Sequence, residues 1–216
     1  MTEKYLSIIT NFGCHYTCPY CNSRVNDIRV PAPDVSTLEK LLQDIKDNNI
    51  TIVSVSGGGD PLHNYDNNFN QQFYYGALFG VLSRARVPLE MHTSYLDTNF
   101  PYYMCKRVVY HLNRIKQLKD IKRNGYEIVR VVFVATEDLT QDEILYIAGF
   151  CTSSPDIDEL SFRQMIGPNY ELRYYNDDLL RGGHKKLWWY ITQNDYNLYW
   201  VNSKIYTKFS DIGKEI

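Results

Sequence analysis

A chain of 216 residues, 44% of them apolar, is long enough for one domain with a real core and a small appendage. A formal net charge of −2 gives no broad attraction to nucleic acid or to an anionic membrane surface, and no apolar run is long enough to span a bilayer, so no membrane role is expected. Five cysteines, three of them crowded between residues 14 and 21, argue against a secreted disulfide framework and for metal or redox chemistry; an N-terminus without a signal-peptide pattern makes the cytoplasm the expected compartment.

Strand-like and helix-like segments alternate along the chain. KYLSIIT reads as a first strand that runs into the cysteine loop. Ser36 and Glu39 have the spacing of a capping box before the amphipathic TLEKLLQDIKD, and TIVSVS follows as a second strand ending in Gly57, Gly58 and Gly59. Residues 69–85 read as a helix and VPLEMHTS as a third strand. A short helix near residues 99–105 leads to RVVYHLN, a fourth strand. RIKQLKDIKRNG reads as a helix capped by Gly125, EIVRVVFVAT as a fifth strand, the segment after Thr140 as a capped helix, and DELSFRQMI as a sixth strand. Such a succession demands crossovers and hence a parallel sheet. The fold class expected is α/β, a partial (βα)6 barrel over residues 1–166. The tail, 167–216, with WWYIT and LYWVNSKIYTKF, reads as a hairpin-like extension capping the barrel.

The stretch CHYTCPYC places Cys14, Cys18 and Cys21 on one tight loop at the end of the first strand, where α/β barrels carry their active sites. Four cysteines would close a zinc site or fully ligate an iron–sulfur cluster; three leave one iron of a [4Fe–4S] cluster open to a substrate or cofactor. The competing reading is a zinc site completed by His15.

The spacing Cys14, Cys18, Tyr20, Cys21 resembles the C-x3-C-x-aromatic-C signature of the radical S-adenosylmethionine superfamily. Gly58, Gly59, Asp60 and Pro61 resemble its second motif, a glycine pair followed by an acidic residue and proline after the second strand. The usual acid there is glutamate, so Asp60 is a departure. The resemblance covers residues 4–166 in order and topology. It implies a [4Fe–4S] cluster and S-adenosyl-L-methionine as cofactors, reductive cleavage to a 5′-deoxyadenosyl radical, and an electron donor such as flavodoxin or ferredoxin. It further implies that Asp60 helps bind the cofactor's ammonium, that the glycines let the backbone approach its methionine end, and that Tyr20 lies near the adenine or covers the cluster.

Alternation sorts the strand residues by face. Glu90, His92 and Ser94 oppose Leu89 and Met91. His111 and Asn113 oppose Tyr110 and Leu112. Ser161 and Arg163 oppose Leu160 and Phe162, and Ser54 and Ser56 are set against Ile52. The polar sides are expected to line the lumen. Ser94, Asn113 and Arg163 are the candidates for the cofactor's sugar and carboxylate; Glu90, His92 and His111 are the candidates for substrate. Cys105 and Cys151 read as buried structural thiols. The basic and aromatic stretch RGGHKKLWWYITQNDYNLYW has two readings, a nucleic-acid surface or a cap over the barrel, and the slightly negative net charge favours the cap. The substrate expected is a small molecule, nucleotide or nucleobase. The alternatives are an activase that makes a glycyl radical on a partner enzyme, and a non-catalytic iron–sulfur or zinc module.

Overall fold

The computed structural model describes residues 4–125, 127–167, 188–191 and 197–214, the third of these as backbone only. Its centre is one nine-stranded sheet: β1 (Tyr5–Thr10), β2 (Ile52–Gly57), β3 (Leu89–Thr93), β4 (Arg107–Leu112), β5 (Ile128–Ala135), β6 (Glu159–Gln164), β7 (Trp188–Ile191), β8 (Leu198–Val201) and β9 (Lys204–Tyr206). The spatial order is β7-β6-β5-β4-β3-β2-β1-β8-β9. Every pairing is parallel except β8 with β9. The α-helices among the described residues are α1 (Asn22–Val25), α2 (Leu38–Asp47), α3 (Phe69–Ala85) and α4 (Gln141–Ser153).

The six predicted strands are all present and pair in chain order, as successive crossovers require. One face of the sheet is apolar. Leu6, Ile8, Val53, Val55, Met91, Val108, Val131 and Phe162 lie in the same buried core as α2, α3 and α4 residues such as Leu41, Leu78 and Ile147. By period two, Ile52 belongs with Ser54 and Ser56, and it is Val53 and Val55 that oppose them, so the expected grouping on that strand is corrected.

The crossovers depart from the sequence reading in three places. The Ser36–Glu39 box does not form: Asp34 Oδ1 accepts from the Ser36 N–H at 2.9 Å, and Glu39 instead pairs with Arg84 at 2.6 Å. The region around residues 99–105 makes only a 3₁₀ turn, Tyr102–Met104. The expected helix after β4 is a 3₁₀ segment, Ile115–Asp120, and Gly125 caps nothing. Ile115, Leu118 and Ile121 are spaced by three, which suits the eclipsed face of a 3₁₀ turn, and Leu118 and Ile121 are buried. Thr140, by contrast, caps α4 as read, with a reciprocal bond from its N–H to Glu143 Oε2 at 2.9 Å.

The tail is not one hairpin. WWYI forms β7 beside β6, whereas LYWV forms β8 beside β1 at the other side of the sheet. Only β8 and β9 form a hairpin, turned by Asn202 and Ser203 with φ of 43° and 71°, the double left-handed geometry of a type I′ turn. The basic stretch 181–187 lies outside the described residues.

Candidate functional site

The cysteine loop leaves β1 and is fastened to the glycine loop that leaves β2. The Gly58 N–H donates to the Thr10 carbonyl at 2.8 Å, and the Asp60 N–H donates to the Gly13 carbonyl at 2.9 Å. Gly13 has φ of 95°, and a Cβ on Gly59 would come within 2.2 Å of the Gly13 carbonyl oxygen. These glycines therefore answer a close approach of two backbones, immediately before Cys14. Asn11 adds a third tie, its side-chain amide donating to the Val30 carbonyl at 2.8 Å.

Cys14 is exposed, and Cys18 and Cys21 are partly buried; none forms a disulfide. The Cys21 N–H donates to the Cys18 carbonyl at 3.1 Å, and the Cys21 carbonyl accepts from Val25 at 2.9 Å, which starts the short turn α1 that the sequence reading missed. Burial pushes the Cys18 thiol up, and the neighbouring Cys14 and Cys21 push it further. Cys14 is raised by burial, then by Asp60 and Cys21. His15 packs on Tyr16, Tyr95 and His63. Among the described residues no three His, Cys, Asp or Glu side chains, the three cysteines included, are already arranged around the position of a single ion.

The loop reaches across to β4. Tyr20 Oη donates to Asn113 Oδ1 at 2.6 Å. Gln117 Nε2 donates to Tyr16 Oη at 2.9 Å while its Oε1 accepts from the N–H groups of Asn113 and Arg114. Burial, and then Cys18 beside it, raise the Tyr20 phenol.

Asp60 is buried, and each carboxylate oxygen accepts two hydrogen bonds. Oδ1 takes the Leu62 N–H at 2.9 Å and the Thr93 hydroxyl at 2.7 Å; Oδ2 takes the N–H and the hydroxyl of Ser94, both at 2.6 Å. Asp60 thus buckles the glycine loop to the end of β3. The Pro61 carbonyl points inward and accepts from Tyr75 Oη at 2.7 Å.

Below this rim, the polar face of the sheet holds a network. Glu90 pairs with Arg107 and accepts from Tyr5 Oη; Glu159 takes Arg107 at 3.0 Å and Arg130 at 2.6 Å. His92 Nδ1 and His111 Nε2 share a hydrogen bond at 3.1 Å. Burial drives both histidines towards the neutral form. The His92 neighbour and the arginines add to it for His92; Arg163 and Arg130 add to it for His111, which is pushed down to about 3. The sequence reading missed Arg107, Arg130 and Glu159, although strand parity places Arg107 with His111, and Glu159 with Ser161 and Arg163.

These features define an open, mostly parallel α/β sheet with a three-cysteine loop and a glycine loop joined at its C-terminal rim. Among solved structures, this chain is similar to Streptococcus suis SuiB, crystallised bound to precursor peptide SuiA. The match has 15% sequence identity and a TM-score of 0.71, and it covers 99% of this chain and 61% of that one. The likeness is one of fold, and this chain spans less than two thirds of that neighbour. No family model and no curated protein matches.

Proposed function

We propose that the protein is a radical S-adenosylmethionine enzyme built on a partial barrel of that superfamily's type, with Cys14, Cys18 and Cys21 as the ligands of a [4Fe–4S] cluster. The observation that carries the reading is the fastening of the cysteine loop to the Gly58–Asp60 loop through the Gly13 carbonyl, because it sets both resembling motifs side by side on one rim. The donor set suits the group: three cysteines on one loop, none in a disulfide, offer three thiols, and a polycation between them would stabilise their thiolate forms.

A cluster held by Cys14, Cys18 and Cys21 would supply the one-electron reduction of S-adenosylmethionine to methionine and a hydrogen-abstracting 5′-deoxyadenosyl radical. The protein's part is positioning. Asp60, held by Thr93 and Ser94, fixes the Gly58–Gly59 backbone that would receive the cofactor's methionine end. Tyr20, anchored on Asn113, would shield a cluster held by the cysteine loop from solvent. The neutral His92–His111 pair and Arg163 face the space where a substrate would lie. Small molecules, nucleotides and nucleobases remain candidate substrates. SuiB holds a precursor peptide, and the match over 99% of this chain adds a peptide to them as a second reading.

The test is anaerobic reconstitution, dithionite reduction and chromatography for 5′-deoxyadenosine, with Cys18→Ala as the silent control. Product above that control is expected, and Cys105→Ala and Cys151→Ala should retain it, since both thiols lie buried in the helix-packed core. Cluster-replete protein that makes none, with its substrate and a physiological reductant present, would overturn the reading.

A further inference from the structure

Among the described residues, the polar face of the sheet carries one cation without a counter-ion. Its two carboxylates, Glu90 and Glu159, are engaged by Arg107 and Arg130 near the N-terminal ends of the strands. Arg163 lies four residues further along β6 than Glu159, towards the rim that bears the cysteine loop. Its guanidinium makes no hydrogen bond or ion pair among the described residues. The register places Ser161 on the row of His111, one rung below Arg163 on the same face. Ser161 is 0% exposed and its Oγ has no partner among the described residues. A half-buried guanidinium beside an unsatisfied hydroxyl and an uncharged imidazole pair is a recognition surface for an anion.

We propose that Arg163, flanked by Ser161 and the His92–His111 pair, receives a carboxylate group of the substrate. The inference rests on the radical S-adenosylmethionine reading for the word substrate, but the anion site stands on its own residues. Among the described residues the face carries one excess positive charge, which matches a monoanion better than a phosphate dianion, and the planar guanidinium fork matches a carboxylate in two parallel bonds. The sequence reading gave Arg163 to the cofactor. The topology favours the substrate, because Arg163 stands on β6, four strands from the Gly58–Asp60 loop that leaves β2.

The experiment uses the full-length, ¹⁵N-labelled protein without cluster or cofactor. Its arginine Nε–H resonances are followed during titration with sodium acetate in one arm and sodium phosphate in the other. The Arg163 signal is the one absent from Arg163→Gln. A saturable acetate shift at that signal is expected, accompanied by the His111 ring nitrogens, with an apparent affinity about tenfold or more above any response left in Arg163→Gln. Arg163→Lys, which keeps the charge but not the fork, should fall between. An unsaturable shift, or one unchanged in Arg163→Gln, overturns the site; tighter binding of phosphate than of acetate overturns the carboxylate. On reconstituted protein, S-adenosylmethionine affinity in Arg163→Gln should stay within about twofold, and a tenfold loss would return Arg163 to the cofactor and sink the proposal. Because the acetate titration needs neither cluster nor cofactor, its outcome is independent of whether 5′-deoxyadenosine is made.

Discussion

Asp60 occupies the acidic position of the second motif, yet four donors already fill its two oxygens. Removing the carboxylate in Asp60→Ala strands the N–H groups of Leu62 and Ser94 and two hydroxyls in a buried place. Unfolding free energy should fall by about 3 kcal/mol, and S-adenosylmethionine affinity should fall with it. Urea unfolding and calorimetry decide between brace and ligand. Lost affinity at an unchanged urea midpoint would make Asp60 a direct ligand, as the motif alone suggests. The His92–His111 pair carries a different signature. A histidine whose folded value lies below its unfolded 6.5, as His111 does at about 3, contributes stability that is present above pH 6.5 and lost as the pH falls below it. At pH 5 one such group costs ~2 kcal/mol, because the unfolded chain takes up a proton that the fold refuses. His111→Gln should flatten the stability profile between pH 6.5 and 5; a profile as steep as the wild type would mean that His111 is charged in the fold.

At the scale of elements, what was legible was what strong local patterns dictate. The β-rich runs that end at Cys14 and at Gly57 to Gly59, the helix over 69–85 and the Thr140 cap are all where alternation and capping chemistry place them. The rest was settled by neighbours. Glu39 had an arginine from α3 to pair with, which no local spacing reveals. Gln117 is taken up by Asn113, Arg114 and Tyr16, so the segment after β4 tightens into a 3₁₀ turn. The cysteine motif was visible as spacing; its ties to Asn113 and Asp60 were not, because they join Tyr20 to Asn113 and Gly13 to Asp60, 93 and 47 positions apart in the chain. β8 is the largest surprise. Trp200 is 1% exposed, packs in the helix-side core, and donates through Nε1 to Asp44 Oδ2 at 2.9 Å, beside the Lys40–Asp44 pair. Trp200→Phe should cost about 1 kcal/mol for the lost bond, and Trp200→Ala about 3–5 kcal/mol for the cavity, both read as urea midpoints. Equal costs would show that the bond to Asp44, not the packing, dominates.

For the whole molecule, the strands after residue 167 extend the sheet at both sides, and this bears on whether the chain is one unit or two. β8 pairs with β1 from Leu6 to Ile8, and Val201 and Ile212 join Ile9 and Val30 in a second small core. Val30 in turn holds the cysteine loop through Asn11 on its carbonyl, and its side chain lies against the glycine loop, where a Cβ on Gly58 would meet it at 2.5 Å. A chain cut after residue 167 would bare the β1 edge, empty the Trp200 site and loosen the floor beneath Cys14. The Trp200 loss alone is about 3–5 kcal/mol, set against a total of about 5–15 kcal/mol for an ordinary domain. The fragment 1–167 is therefore expected to unfold at far lower urea, to lose amide-exchange protection first along Tyr5–Thr10, and to retain much less iron after reconstitution than the full chain. Co-expression with a peptide covering 197–214 should restore part of each, since β8 and β9 form their own hairpin. A 1–167 fragment with the wild-type midpoint and iron content would show instead that the tail is a separable cap, as the sequence pattern suggests.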